Sequence, residues 1–345
     1  MSRDVTRWGV AGTGGIAHMT LPDLGLTENV EVAAVSSRTQ DGADTFAAEH
    51  GIAQAYGDYS SLLANPDLDV IYICTPHGAH FAMAEAAITA GKSVLCEKPL
   101  TITARQAEEL SGLARSRGVF LMEAMWTKFN PTIGRIQETI ASGVIGDVRH
   151  VNAAFGFSAP RDPASRFWDP AQGGGALLDL GVYPITLAHL FLGKPDVVSA
   201  LGSIGADGVD TRVVLTLASG EVLAQAAASI VHALPANATI SGTTGFIDVA
   251  APFWCPPSFT VFPQGMAPWA PPPEVVTVEQ EGNGYVPMFR ATSAAVLQGL
   301  TESPAHPLSA TVEVLEVIDR VRRQLLDVHH PGSGPISPWH DEVGG

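Results

Sequence analysis

The sequence predicts an α/β fold followed by an α+β fold: a doubly wound parallel sheet, then an open, largely antiparallel mixed sheet. Three observations predict it. Strand-like and helix-like segments alternate over residues 1–125, and a glycine-rich turn joins the first strand to the first helix. After residue 147 short strand-like segments recur, many of them separated by glycine or proline. We therefore predict a first domain over 1–125, a second over 126–330 and a loose tail over 331–345.

The composition excludes several classes of function. Of the 345 residues, 19 are Lys or Arg and 35 are Asp or Glu, which gives a net charge of −16. Such a surface argues against nucleic acid and against anionic membranes as partners. No uninterrupted apolar run reaches the roughly 18 residues of a membrane span, and the N-terminus lacks the apolar core of a signal peptide. These observations predict a soluble cytoplasmic protein.

In the first domain, apolar runs predict strands and glycines mark helix ends. The strands are expected at 7–11, 30–36, 70–74, 93–96 and 119–122, and the helices up to 26 and at 40–50, 81–90 and 103–117. Strands that alternate with helices in this way are joined by right-handed crossovers and lie parallel. The carboxyl ends of such strands form the edge where ligands bind.

The first of these strand ends carries the pattern Gly12-x-Gly14-x-x-Ala17. In a dinucleotide-binding turn the first glycine makes the tight turn and the second lets the backbone approach the pyrophosphate. The third position keeps the helix close to the sheet, and Gly15 and Ile16 open that helix toward the phosphates. The strand–turn–helix context supports this interpretation over a mere glycine-rich turn.

Ser37 and Arg38 follow the end of the second strand, where an enzyme that prefers NAD usually has Asp or Glu. A serine hydroxyl and a guanidinium can both bind a 2′-phosphate. We therefore predict NADP as the cofactor, with NAD less favoured. The alternative is a solvated arginine on a turn.

Two further strand ends contribute candidate site residues. Thr75, Pro76 and His80 follow the third strong strand and are expected to contact the cofactor or the substrate. His77 and His80 have a spacing that a metal could use, but no Cys or carboxylate is close in sequence, so no metal site is predicted. The next strand ends in Glu97-Lys98-Pro99, where Lys98 is a candidate for chemistry and Glu97 for bracing the strand end.

The second domain has a different pattern. A helix is predicted from Pro131 to Ser142 with Asn130 as its N-cap. Strands are predicted at 148–157, 197–203, 211–217, 221–230, 238–241 and 246–249, and helices at 288–300 and 309–327. The segment 251–273 contains eight prolines and is expected to be mostly loop or sheet edge.

The segment from Gly173 to Gly193 is predicted to form a buried helix from Leu177 to Leu192. Asp179 and Tyr183 are four residues apart and share a face of that helix. A buried carboxylate and phenol need polar partners. Tyr183 is therefore a candidate for proton transfer, oriented or tuned by Asp179 and Lys98, and the alternative is a core tyrosine with a satisfied hydroxyl.

Taken together, these motifs resemble the Gfo/Idh/MocA oxidoreductase family over nearly the whole chain. The segment from Met122 to Phe129 is similar to the branch with dimeric trans-dihydrodiol dehydrogenases and NADP-dependent D-xylose 1-dehydrogenases. The resemblance implies a Rossmann domain that binds NADP, a homodimer or higher oligomer, and a cis peptide between Lys98 and Pro99. One departure is Lys128, where close relatives often have Arg.

The resemblance also implies hydride transfer to or from a sugar, polyol or cyclic diol. Tyr183 would take or give the hydroxyl proton, which requires its pKa to fall, and the Lys98 ammonium would stabilise the phenolate. The expected cofactor contacts include Glu97, Lys98 and Trp126. The substrate contacts are Lys98, Trp126, Phe157, Asp179 and Tyr183, and the aromatic wall would be completed by Phe155 and Trp168.

Two other classes of function stay open from the sequence. One is a glycosidase of the same fold that keeps its dinucleotide bound and oxidises the sugar only transiently. The other is a non-catalytic nucleotide sensor, which would not need the set of Lys98, Asp179 and Tyr183.

Overall fold

The computed structural model of the protein describes residues 4–162 and 165–328. Its first sheet has six parallel strands in the order β3-β2-β1-β4-β5-β6. The strands are β1 (Thr6–Ala11), β2 (Val30–Ser36), β3 (Gln54–Tyr56), β4 (Val70–Ile73), β5 (Ser93–Glu97) and β6 (Leu121–Ala124). The helices are α1 (Gly15–Leu26), α2 (Gln40–His50), α3 (Tyr59–Leu63), α4 (His77–Thr89) and α5 (Ala104–Arg117). The predicted doubly wound parallel sheet is thus confirmed.

Some boundaries in this half differ from the prediction. The short elements β3 and α3 were not predicted, because Gln54–Tyr56 is only half-buried and carries no apolar run. Helix α4 begins at His77, four residues early, since Pro76 supplies an extended N-cap with φ −60°. Strand β6 begins at Leu121 rather than residue 119, which is the register that pairs it with β5.

The second sheet has nine strands, and β7 and β10 are its only parallel pair among the described strands. Its strands are β7 (Val148–Ser158), β8 (Val197–Ile204), β9 (Asp210–Ser219), β10 (Val222–Ser229), β11 (Val231–Leu234), β12 (Ala238–Gly242), β13 (Phe246–Val249), β14 (Ser258–Phe262) and β15 (Glu274–Thr277). The helices of this half are α6 (Pro131–Ala141), α7 (Val182–Leu192), α8 (Val286–Leu297) and α9 (Leu308–Val328). The predicted mixed, largely antiparallel sheet is confirmed.

The proline-rich segment 251–273 is mostly loop, as expected, but it also contains a strand at residues 258–262 that was not predicted. There β14 pairs with β13 on one side and β15 on the other. The prolines flank this strand rather than interrupt it, and its alternation buries Phe259 and Val261. The high proline content of the 23-residue segment concealed residues 258–262, which contain no proline and whose backbone N–H groups can all donate to a β-ladder.

One face of the second sheet is covered and the other is open. Helix α7 packs on β7 and β10, and helix α9 packs on β8. On the opposite face β8, β9 and β10 expose four large apolar side chains: Val197, Leu201, Val214 and Leu223. We call this set the open apolar face.

The apolar stretch from Pro170 to Leu192 is long and apolar enough to cross a membrane, but 83% of its apolar window is buried inside the protein. It therefore has the burial expected of core helices. The predicted tail, 331–345, lies outside the described residues.

Candidate active site

The glycine-rich turn after β1 is shaped to hold a dinucleotide phosphate. Gly12 has φ +113°, and a Cβ there would lie 3.0 Å from the carbonyl oxygen of Cys74. Gly14 is the N-cap of α1, has no side-chain cap, and leaves open space where a Cβ would be. The first N–H groups of α1 are thus available to an anion. Ala17 is fully buried beneath the turn, so it does not line the cleft that begins at this turn.

A first cleft of about 720 Å³ runs from this turn to the end of β2. Ser37 and Arg38 line it, and the Ser37 hydroxyl lies 3.0 Å from the Thr13 hydroxyl. Arg38 is exposed and has no ion pair with any residue that the structure describes. The nearby Asp58 carboxylate is occupied, because it accepts hydrogen bonds from Ser61 as the N-cap of α3. The residues present therefore fit a phosphorylated ribose.

A second cleft of about 670 Å³ continues from the first and shares Gly14, Thr75 and Pro76 with it. It reaches across to the second sheet and contains the ends of β5, β6 and the helix that carries Tyr183. The predicted site residues that line it are Gly14, Gly15, Ile16, Thr75, Pro76, Glu97, Lys98, Trp126, Phe157, Asp179 and Tyr183. Residues from the strand ends of the first sheet and residues from the second half of the chain thus line the same cleft.

His80 does not line either cleft. It is fully buried, and its two ring nitrogens each lie 2.8 Å from a carbonyl oxygen, those of Pro99 and Thr75. The side chain therefore joins the loop after β4 to the loop after β5. His80 acts on the site by holding these two loops together.

Lys98 follows the end of β5, and the peptide that joins it to Pro99 is cis, as expected. Its Nζ donates to the backbone oxygen of Asp179 at 2.8 Å and lies 3.9 Å from that carboxylate. Burial alone would lower the pKa of Lys98, but the facing Tyr183, Asp179 and Glu97 outweigh it and raise the pKa. The ammonium is thus charged at neutral pH.

Glu97 braces the end of β5, although it also lines the second cleft. Its carboxylate accepts from the Tyr72 hydroxyl at 2.6 Å and from the Lys98 backbone N–H at 3.2 Å. Burial raises its pKa, while these two hydrogen bonds favour the ionised form. The carboxylate therefore fixes the direction in which the chain leaves the strand.

Asp179 lies in a π-helical turn, Leu177–Gly181, that precedes α7. Its Oδ1 is 2.8 Å from Nη2 of Arg166 and 3.7 Å from Nε2 of His77. Burial raises the pKa of Asp179, but Lys98 and Arg166 together hold it below its ordinary value. Burial and Lys98 lower the pKa of His77 to about 3, so the contact between His77 and Asp179 is not an ion pair at neutral pH.

The π-helical turn depends on the glycines before it. Gly175 has φ +110°, and a Cβ there would lie 2.5 Å from Oδ1 of Asp210. The Asp210 carboxylate in turn accepts from the Leu177 N–H at 2.6 Å. The glycine run therefore lets a buried carboxylate bind the first N–H of this turn.

Tyr183 is buried and makes contacts from three sides. The indole N–H of Trp126 donates to its hydroxyl at 3.2 Å, and Lys98 Nζ lies 4.7 Å from its ring centre. The ring of Trp254 lies 5.6 Å away. Burial raises the pKa of Tyr183, and neither Lys98 nor Trp126 reverses the shift. The expected fall in this pKa does not occur, because the loss of water outweighs one ammonium that faces the ring.

The structure also brings in residues that the sequence did not single out. Arg166, Phe167, Trp254 and Tyr285 all line the second cleft. Trp254 comes from the proline-rich segment and packs on Phe155, with ring centres 3.9 Å apart. No sequence periodicity marked these residues, because all four lie in loops or short turns.

The predicted aromatic wall needs one correction. Trp168 does not line the cleft; its indole N–H donates to the Pro160 oxygen at 2.9 Å, and the Arg161 guanidinium stacks on its ring. Lys128 also lies outside both clefts, and burial lowers its pKa.

One group among the described residues has the geometry to hold a metal ion: His18, Glu49 and His50. It lies between α1 and α2, away from the second cleft, and two of its members are exposed. A hydrogen bond of 2.9 Å between the two imidazoles accounts for their approach. We assign no metal to it.

Comparison with known proteins gives a consistent result across the chain. A family profile described as "Oxidoreductase family, NAD-binding Rossmann fold" (GFO_IDH_MocA) matches residues 6–125, and the "GFO/IDH/MocA C-terminal domain" profile matches residues 133–248. The chain is 36% identical over 327 residues to the trans-1,2-dihydrobenzene-1,2-diol dehydrogenases of Mus musculus and Homo sapiens. The match covers 92% of this chain and 96% of each relative.

Solved structures agree with this assignment. A 3-ketoreductase from Actinomadura kijaniata, solved with NADP and TDP-benzene, has a TM-score of 0.82 and 30% identity over 93% of this chain and 98% of its own. An aldose-aldose oxidoreductase from Caulobacter crescentus shares the fold at a TM-score of 0.83 and 23% identity, over 94% of this chain and 98% of its own. The chain therefore belongs to the Gfo/Idh/MocA family of oxidoreductases and is an NAD(P)-dependent dehydrogenase that acts on CH–OH groups.

Proposed function

We propose that this dehydrogenase uses NADP and interconverts a secondary alcohol and its carbonyl on a sugar, a polyol or a cyclic diol. The observation that carries the proposal is the convergence of Lys98, Asp179 and Tyr183 in the second cleft, which continues from the first. When bound, the nicotinamide would supply or accept the hydride. The residues of the chain then have to bind the substrate oxygen and move its proton.

Tyr183 is the group we assign to the proton. Because burial raises its pKa, the phenol is protonated at neutral pH and is ready to donate to a carbonyl oxygen that becomes an alcohol. The same group accepts the proton in the oxidation direction, which therefore favours alkaline pH. The ketoreductase from Actinomadura kijaniata was also solved with one lysine or one tyrosine replaced, the residue types that we place at the reacting centre.

Asp179 and Lys98 are assigned to orienting the substrate. Asp179 is held ionised between Lys98 and Arg166, so it can accept a hydrogen bond from a substrate hydroxyl. Lys98 keeps its ammonium charged beside the Tyr183 ring and can donate to a substrate oxygen. A vicinal diol offers two neighbouring oxygens to such a pair of groups.

The rest of the second cleft favours a ring-shaped substrate. Its wall is aromatic and consists of Trp126, Phe155, Phe157, Phe167, Trp254 and Tyr285. Flat apolar side chains pack well against the face of a sugar or a cyclohexadiene ring. The relatives named for a trans-dihydrodiol support the cyclic diol among these substrates.

We propose NADP over NAD because Ser37 and Arg38 line the first cleft and no carboxylate follows β2 directly. A guanidinium without an ion pair in the described chain is free to bind a 2′-phosphate.

We also propose that the boundary between the two domains lies at residue 125 and that the protein is located in the cytoplasm.

We propose further that the chain forms a homodimer through the open apolar face. Leu201 is 72% exposed and lies opposite Val214, which is 59% exposed, in the register of β8 and β9. Apolar side chains grouped on an uncovered sheet face favour burial against a second copy.

The test of the proposed activity is a panel of aldoses, polyols and trans-dihydrodiols with NADP⁺, followed by absorbance at ~340 nm. We expect NADPH to form with at least one class of substrate. Silence across the panel, with dinucleotide that co-purifies with the protein, would instead support the glycosidase.

A further inference from the structure

Helix α1 carries a buried carboxylate that takes no part in the chemistry assigned so far. Asp23 is 1% exposed and does not line either cleft. Its oxygens accept from the backbone N–H of Asn283 at 2.8 and 2.9 Å and from that of Tyr285 at 2.8 Å. The carboxylate thus anchors the loop before α8 to the helix that begins at the dinucleotide turn.

Two glycines let this loop fit between Asp23 and the second cleft. Gly282 has φ +58°, and a Cβ there would overlap Oδ1 of Asp23. Gly284 has φ +97°, and a Cβ there would lie 2.7 Å from Sγ of Cys255 and 3.1 Å from the ring of Trp126. A residue with a side chain would push the loop away from either neighbour.

The loop ends in a contact that leads to the proposed proton donor. Tyr285 stacks on Trp126 with ring centres 4.1 Å apart and an angle of 9° between the ring planes. The indole N–H of Trp126 donates to the Tyr183 hydroxyl at 3.2 Å. Each member of the series from Asp23 through Tyr285 and Trp126 to Tyr183 therefore touches the next.

We propose that Asp23 is a positioning residue that fixes the Tyr183 hydroxyl through Tyr285 and Trp126. The backbone bonds to Asp23 set where the Tyr285 ring lies, and the parallel stack sets the plane and depth of the Trp126 indole. The direction of the indole N–H follows from that plane. The inference rests on the proposed role of Tyr183, and it links the helix at the dinucleotide turn to the proton-transfer group.

The geometry can be tested without turnover, through the indole N–H signals in a ¹⁵N correlation spectrum. The six tryptophans give six such signals, and Trp126→Phe identifies the one of interest. We expect Asp23→Asn to shift this signal, and Tyr183→Phe, which removes the acceptor of the indole N–H, should shift it as well. The matched control is Asp69→Asn, because the Asp69 carboxylate also accepts from a backbone N–H, that of Arg7, and lies directly before β4; it should leave the signal in place. An unchanged signal in Asp23→Asn would overturn the proposal.

Kinetics then test whether Asp23 acts through Trp126. We expect Trp126→Phe to lower kcat about fivefold, the effect of one hydrogen bond, and Asp23→Asn to approach the same loss. Loss of the N–H donor raises the pKa of Tyr183. In both variants the limb of the kcat–pH profile for oxidation that rises as Tyr183 loses its proton should therefore move to higher pH.

The double variant distinguishes positioning from general weakening of the fold. In the Trp126→Phe background, Asp23→Asn should cause no further loss, because the hydrogen bond that it positions is already gone. Full additivity would contradict the inference. If Asp23→Asn does not fold, Tyr285→Leu removes the stack yet keeps the backbone bonds to Asp23, and the same shifts are expected. Absence of any NADP-linked turnover would refute the proposed function, while the indole signal would still test the positioning.

Discussion

The Nζ atom of Lys98 lies 4.7 Å from the centre of the Tyr183 ring and at the same time donates to the backbone oxygen of Asp179. The lysine is thus bonded to the turn that precedes the tyrosine's own helix. Lys98 faces the ring of Tyr183, whereas the Tyr183 hydroxyl accepts its hydrogen bond from Trp126. Lys98 therefore acts on Tyr183 through its charge, and the hydroxyl keeps room for a substrate oxygen.

Replacement of this charge tests the electrostatic role. Lys98→Met should lower kcat about 100-fold, within the range of acid–base contributions. Lys98 lowers the pKa of Tyr183, so its removal raises that pKa. In alcohol oxidation Tyr183 acts as the base, and the limb of the kcat–pH profile that rises as Tyr183 loses its proton should therefore move to higher pH. A kcat–pH profile measures both effects. Lys98→Arg is the control, because it keeps the charge, and it should retain the wild-type position of the limb.

Replacement of the phenol tests the proton-transfer role. Tyr183→Phe keeps the aromatic ring and the cation–π contact but removes the only proton to be transferred from that side chain. We expect kcat to fall about 1000-fold, while NADPH binding, measured by its fluorescence, stays at the wild-type level. A variant that turns over near the wild-type rate would show that another group carries the proton.

Arg166 is expected to keep Asp179 ionised. In Arg166→Gln the carboxylate loses its partner at 2.8 Å, and burial then raises its pKa. The acidic limb of kcat/KM should move to higher pH, so the loss should be greatest in mildly acidic buffer. Arg161→Gln is the matched control, since Arg161 belongs to the same segment but stacks on Trp168 outside the cleft. Equal pH profiles for the two variants would refute this role.

Cofactor preference is expected to depend on Arg38. Arg38→Ala should lower kcat/KM for NADP about 30-fold, because a charge-assisted contact to the 2′-phosphate is lost, and should leave kcat/KM for NAD nearly unchanged. Steady-state kinetics with both cofactors measure the ratio. Arg105→Ala removes another exposed arginine, one that pairs with Glu109, and should change neither value. A wild-type preference for NAD would contradict the NADP assignment directly.

We expect a charge on the open apolar face to prevent the proposed homodimer from forming. Leu201→Asp places a carboxylate opposite Val214, where burial against a second copy would be strongly unfavourable. We expect the variant to sediment as a monomer at concentrations where the wild type sediments as a dimer. Leu326→Asp, at an apolar position 56% exposed on α9, serves as the control and should keep the wild-type assembly. A wild type that is itself monomeric would refute the proposed dimer.

Much of the fold could be predicted because each prediction depended on a local pattern. The bounds of β2 and α2 and the N-cap of α6 at Asn130 match the structure, since an apolar run, a glycine stop and a capping side chain act within a few residues. β14 was missed for the opposite reason. Its place in the sheet depends on partners 10 to 19 residues away.

The sequence by itself determined the strand ends that carry Gly12, Lys98 and the segment with Asp179 and Tyr183, because residue types and spacing specify turns, strand ends and helix faces. Only the tertiary structure decided which side chains surround them. Arg166 reaches the cleft from a short 3-10 turn, Trp254 and Tyr285 reach it from loops, and the pKa of Tyr183 rises rather than falls. Burial and contact between distant segments are properties of packing, so no local pattern in the chain contains them.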